Sequence, residues 1–155
     1  MKKLIGMVAA VLVFASCGGG QEQLDETHVS VSQTDPLLQQ YFELKDALVR
    51  SDAQASQASA DSLFHLAEDE AMLKYAALIA EANDLQVQRE HFEELSLAMI
   101  DYAKSVESPT AYYVQFCPMA LNGKGAQWLA TEAPILNPYY GKMMLRCGAV
   151  QDTLK

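Results

Sequence analysis

Cys117 and Cys147 are the residues of this 155-residue chain best equipped for chemistry, and each lies close to methionine. The segments read Cys117-Pro118-Met119 and Met143-Met144-Leu145-Arg146-Cys147. Thiolate and thioether donors together suit Cu(I) or Ag(I) better than any hard cation. The candidate ligand set is Cys117, Met119, Met144 (or Met143) and Cys147, with His91 as an added nitrogen donor. Zinc ranks below copper, because it ordinarily takes four Cys or His ligands and only His91 stands by to help. Two cysteines in an exported protein equally suit a disulfide. A Cys117–Cys147 bridge would close a loop of about 30 residues and stabilise the fold by roughly 3–4 kcal/mol. Met119, Met143 and Met144 would then be ordinary packing residues. The two readings are compatible, since an oxidised form would release the site on reduction.

Catalysis has weaker support. Cys117 and His91 have the types of a thiol–imidazole pair, but Pro118 follows the cysteine where a backbone oxyanion donor would be needed. No third orienting residue stands out, and the spacing is not C-x-x-C. The chain is therefore expected to be no enzyme. His65, beside Phe64 and Leu66, reads as a boundary histidine and His28 as a solvated one. Met72 and Met99 fall on apolar stripes and read as packing.

These residues have to be carried by something, and the chain divides into unequal parts. Lys2 and Lys3 followed by the apolar run Leu4 to Ala15 read as an export signal too short to span a bilayer. Phe14-Ala15-Ser16-Cys17 has lipobox form, so residues 1–16 are expected to be removed and Cys17 lipidated. Residues 17–34, rich in Gly, Gln, Glu, Ser and Thr, read as the anchor and a flexible tether. That leaves 35–155 as a single domain, large enough for one core. The lipid anchor makes a membrane the expected partner. The location that follows is the cell envelope, facing the periplasm.

Charge separates that domain further. The formal net charge is −9, and no basic patch exists to meet a phosphate backbone, so nucleic-acid binding is not expected. Residues 35–108 carry 15 acidic and 5 basic side chains, whereas residues 109–155 carry 2 and 4. An acidic body and a nearly neutral, sulfur-bearing cap are implied.

Periodicity predicts four amphipathic helices in the body. Asp35-Pro36 opens the first, with Leu37, Tyr41, Leu44 and Leu48 at helical spacing. Ser51-Asp52-Ala53-Gln54 has capping-box form and starts the second. The third begins near Asp69, and Asn83-Asp84 precedes a long fourth running from Leu85 to about Val106. Short joints favour an antiparallel four-helix bundle. The fold class is mainly α, with a small irregular or β-hairpin cap at 109–155. In the cap, Ala111 to Cys117 reads as a strand, Asn122-Gly123-Lys124-Gly125 as a turn, and Trp128 with Leu129 as a loop anchored to the bundle. Met144 to Val150 would be a second strand, paired with the first so that Cys117 and Cys147 meet.

Several motifs carry a resemblance. Tyr113-Val114-Gln115-x-Cys117-Pro118-Met119-Ala120, Gly125-Ala126-x-Trp128-Leu129, Asn137-Pro138-Tyr139-Tyr140-Gly141 and Met144-Leu145-x-Cys147-Gly148 lie in the cap. Gln88-Arg89-Glu90-His91-Phe92, Leu95-Ser96 and Tyr41-Phe42-x-Leu44-Lys45-Asp46-Ala47-Leu48 lie upstream. Together they resemble an uncharacterised bacterial family catalogued as domain of unknown function 3347. One departure is Ala130, where serine commonly follows Trp-Leu. Members of that family are lipoproteins or segments joined to periplasmic adaptor subunits of heavy-metal efflux pumps. The resemblance thus implies work near metal efflux or envelope stress, with an efflux adaptor or another envelope protein as partner. It implies no settled activity. The alternative function is a structural or protein-interaction lipoprotein, its cysteines bridged and Trp128, Tyr139 and Tyr140 facing a partner.

Overall fold

The structure, a computed structural model, describes residues 35–155. The expected signal, Cys17 and the tether with His28 lie outside the described residues. Four helices come first: α1 (Pro36–Arg50), α2 (Ala53–Leu66), α3 (Glu70–Glu81) and α4 (Leu85–Ser105). Each begins at an aspartate whose carboxylate accepts backbone N–H groups of the first turn: Asp35, Asp52, Asp69 and Asp84. Such a cap satisfies donors the helix itself leaves free and contributes about 1 kcal/mol.

The start of α2 differs from the expected capping box. Ser51 takes the left-handed conformation (φ 59°, ψ 40°) and closes α1. Its N–H and that of Asp52 return to the carbonyls of Leu48 and Ala47. Ser51 is thus used to end one helix, and the cap of the next passes to Asp52, one residue on.

Each helix packs on the next in sequence, and α1 also meets α4. Tyr41 of α1 stacks on Phe92 of α4 with ring centroids 5.3 Å apart. Leu38, Leu44, Leu48, Leu63, Ile79, Leu95 and Met99 fill the helical part of the core. Burying a side chain of this kind contributes roughly 1.5–3 kcal/mol. Met72 and Met99 are buried, in keeping with a packing role.

A three-stranded antiparallel sheet of order β2-β1-β3 follows, made of β1 (Tyr112–Cys117), β2 (Ala126–Ala130) and β3 (Ala149–Leu154). Two expectations for the cap are corrected. Trp128 and Leu129 belong to a strand, not a loop, with Gln115 opposite Trp128 and Cys117 opposite Ala126. The strand expected from Met144 begins only at Ala149, which lies opposite Phe116. Residues 141–143 form a short 3-10 turn instead, and Gly148 at φ 139° leads into the strand.

The packing of α4 against β2 joins sheet to helices. The outer edge of β2 is closed by tyrosines: the Leu129 N–H donates to the Tyr41 hydroxyl at 3.0 Å, and the Tyr139 hydroxyl donates to the Gln127 carbonyl at 2.6 Å. Edge groups that would otherwise be buried unpaired are satisfied in this way. Phe92, Tyr139 and Trp128 continue the aromatic contact from helices into sheet. Lys45, only 1% exposed, reaches from α1 to the Glu132 carboxylate just past β2.

Candidate soft-metal centre

Cys117 ends β1, and β1 lies in the middle of the sheet, so its side chain is fully buried. Cys147 lies on the turn before β3 and is half-buried. Their sulfurs stand 3.0 Å apart, and both are free thiols. The pairing of β1 with β3 produces this meeting. With Phe116 opposite Ala149, the next position along each strand brings Cys117 to the turn that carries Cys147.

Asn137 holds that turn in place. Its N–H donates to the Leu145 carbonyl and its side-chain amide to the Cys147 carbonyl, both at 2.9 Å. Its side-chain oxygen accepts from the N–H groups of Tyr139 and Tyr140. One buried amide therefore ties the 137–141 loop to the cysteine turn. The Tyr140 hydroxyl then donates to the Met119 carbonyl, fastening the segment after Cys117 to the same loop.

Gly148 permits the close approach beside Cys147. A Cβ there would sit 2.7 Å from the Phe116 carbonyl oxygen and 3.1 Å from the Trp128 ring, and φ is already in glycine's range. No larger residue fits without pushing the turn away from the sheet.

Arg89 anchors the 137–141 loop to the helices. It is 6% exposed, and its guanidinium donates to the Pro138 carbonyl (2.8 Å), the Leu48 carbonyl (3.1 Å) and the Ser51 hydroxyl (3.0 Å). No carboxylate pairs with it among the described residues. Desolvation lowers its pKa, yet an arginine stays charged. The carbonyl end of α1 supplies part of the compensation, being the negative pole of a helix.

The Cys147 pKa is raised, first by its hydrogen bond with the Cys117 thiol and then by burial. The nearby Met119 backbone N–H works in the opposite sense. Two thiolates at this separation repel, so a cation shared between them stabilises the doubly deprotonated pair.

The remaining candidate ligands divide. Met119 is 51% exposed and Met143 78% exposed, while Met144 is half-buried. His91 stands on α4 with its ring 6.3 Å from that of Tyr75 on α3. Among the described residues, no three of His, Cys, Asp and Glu gather in a group that could hold a metal. The structure thus unites Cys117 and Cys147 without a nitrogen or oxygen side-chain donor, leaving thioethers to complete any shell. Two grooves on the helical part, of about 480 and 530 Å³, share Asp69, Met72 and Tyr102 and contain none of the sulfur-site residues.

Sequence reasoning missed the organising roles of Asn137, Arg89 and Gly148. Their signals were present: an Asn-Pro pair at Asn137-Pro138, an arginine at stripe spacing between Leu85 and Phe92, and a glycine directly after a cysteine.

A family model described as "Protein of unknown function (DUF3347)" matches residues 37–110. The chain resembles that family from the start of α1 past the end of α4, and the cap motifs lie beyond the matched residues. No curated protein and no solved structure matches the chain.

Proposed function

We propose that this chain, similar to DUF3347 proteins over its helical part, is a lipid-anchored envelope protein that binds or buffers one soft monovalent cation, Cu(I) or Ag(I), in its C-terminal cap. Cys117 and Cys147 supply two thiolates, and Met119 with Met144 or Met143 supplies thioethers that add no further charge. The helices, read as an antiparallel four-helix bundle, form the platform that carries the cap. Cys17 is the anchor and the site faces the periplasm, near an efflux or envelope-stress system. The role is non-catalytic.

One observation carries this reading. Met119 and Met143, near the two cysteines in sequence, are exposed and Met144 is half-buried, whereas Met72 and Met99 are buried in the core. Packing accounts for the second pair and not for the first. A large apolar side chain left in water contributes nothing to the fold, so the exposure of Met119 and Met143 leaves their thioethers free to act as ligands.

A bridging ion about 2.3 Å from each sulfur needs the sulfurs roughly 4 Å apart, so the pair must open by about 1 Å. Cys147 can supply that movement, because it sits on a turn and not in a strand. The disulfide reading is favoured by the 3.0 Å contact itself. In that case the cap is a bridged, structural or partner-binding surface displaying Tyr140 alone of the three aromatics expected there, because Trp128 and Tyr139 are buried in the core.

The two separate on thiol counting followed by titration. One portion of purified protein is alkylated and digested to count free thiols at positions 117 and 147, and a second, intact portion is titrated with Cu(I) against a chromophoric chelator. Uptake of one Cu(I) by the reduced protein supports the metal site. No uptake after mild reduction sinks it and leaves the bridged cap.

A further inference from the structure

We propose that the metal site is opened and closed by thiol–disulfide exchange with an envelope dithiol–disulfide protein, and that Cys147 is the only point of entry for that exchange. The metal consequence of this inference rests on the proposed function; the entry point does not.

The two sulfurs are in contact but unequal. Cys117 is buried on every side at the end of the central strand, while Cys147 is half-buried on a turn. An attacking sulfur must approach its target sulfur directly, which the packing around Cys117 prevents. Closing the pair from 3.0 Å to a bond of about 2.05 Å needs roughly 1 Å of movement. Asn137 holds the Cys147 carbonyl and the Leu145 carbonyl, so the turn stays seated while its thiol turns inward or outward.

Cys147 loses its proton to solvent, and the thiolate attacks one sulfur of the partner's disulfide. The partner's S–S bond breaks, its second sulfur leaves as a thiolate that takes up a proton, and a mixed disulfide forms at Cys147. Cys117, having lost its own proton, then attacks the Cys147 sulfur 3.0 Å away. The mixed disulfide breaks, the partner's first sulfur leaves and is protonated, and the Cys117–Cys147 bond remains. Two electrons have passed from this chain to the partner, whose disulfide is now a dithiol. In the reverse direction a partner thiolate attacks the Cys147 sulfur and Cys117 is the leaving group.

Oxidation removes both anionic donors at once and leaves only thioethers. A bridged chain therefore holds no soft cation, and loading follows reduction. In this scheme Cys147 is the exchanging thiol and Cys117 the resolving one.

The test uses the metal-free, reduced full chain with glutathione disulfide as probe, quenched with acid, alkylated and mapped by mass spectrometry. In Cys117→Ser, glutathione accumulates on Cys147. In Cys147→Ser, modification at Cys117 is at least about 100-fold slower, as expected when a thiol is inaccessible. In the unmodified chain the mixed disulfide is transient and the internal bridge is the product. Should Cys117→Ser fail to fold, substoichiometric iodoacetamide on the unmodified chain gives the same answer, with Cys147 alkylated first. Equal rates at the two cysteines, or a mixed disulfide that persists in the unmodified chain, overturn the entry point. For gating, reduced and oxidised chains are compared in a Cu(I) competition, and oxidation is expected to lower affinity at least about 100-fold. Unchanged affinity after oxidation overturns the gate. Absence of Cu(I) uptake by the reduced chain overturns the metal reading, while the mapping still decides the exchange chemistry.

Discussion

Residues 35–108 and residues 109–155 solve the folding problem by different means. The first are acidic, helical and locally specified: an aspartate opens each helix, and each apolar stripe finds its neighbour across a joint of a few residues. The second are nearly neutral and assembled from pieces distant in the chain. Their strands pair out of sequence order as β2-β1-β3, and their loop is held by single polar residues. Methionine marks the contrast, being buried in the first part and largely exposed in the second. Packing is spread over many contacts in the helices, whereas the paired cysteines sit where a few hydrogen bonds hold the turns.

The hardest way to break the division is at the joint between the parts. Trp128 is fully buried between strand and loop and packs edge-on against Tyr139. Trp128→Ala is expected to cost about 3–5 kcal/mol, read as a lower midpoint in urea unfolding together with lost Cu(I) uptake. A loss of uptake with unchanged stability would mean the joint is not what supports the site.

Arg89 comes next. Arg89→Met keeps the apolar bulk but leaves the Pro138 carbonyl and the Ser51 hydroxyl without the guanidinium and the Leu48 carbonyl with only the Ser51 N–H, at an expected cost of about 2–3 kcal/mol. The 137–141 loop should loosen, so faster hydrogen exchange at Tyr139 and Tyr140 accompanies the loss. If only α1 and α4 exchange faster, the residue serves the helices and not the cap.

Paired methionine replacements sharpen the contrast directly. Met119→Leu with Met144→Leu is expected to weaken Cu(I) binding about tenfold while changing stability by less than about 1 kcal/mol. Met72→Leu with Met99→Leu should leave binding untouched. Equal effects from the two pairs would erase the distinction between packing and ligand methionines.

Two smaller effects test the helical part alone. Asp84→Ala removes the acceptor for the N–H groups of Gln86 and Val87 and is expected to cost about 1 kcal/mol in the same unfolding assay. Alkaline pH acts through Tyr41 and Tyr139, whose pKa values burial raises in the folded state. Their contribution is full below the unfolded tyrosine pKa of about 10. It is lost as pH rises above that value, because the unfolded chain ionises first. Unfolding midpoints should therefore fall above about pH 10, and less so in Tyr41→Phe.

Much of the helical part was readable in advance. The starts at Asp35, Asp69 and Asp84 and the stripe through Phe92, Leu95 and Met99 follow from rules acting within one or two turns. Ser51 was misread because capping-box form is local, whereas its left-handed conformation answers to the end of the preceding helix as well. The cap was less legible. Its first strand was placed within a residue, yet β2 was read as a loop, because a short run containing Trp128 and Leu129 looks alike in either state until a partner strand exists. The last strand was set five residues early, since nothing local announces that Gly148 and the turn before it are used to seat a cysteine.

Composition and spacing were enough to establish the helices, the uneven charge and the inventory of sulfur donors, since propensity, capping and amphipathic period act over a few neighbouring residues. That Cys117 and Cys147 touch, that one is buried and the other reachable, and that Asn137 and Arg89 hold them so were settled only by folding. The cysteine contact spans 30 residues and the Arg89 contact with Pro138 spans 49, and over such distances chain entropy opposes every contact until the surrounding core forms.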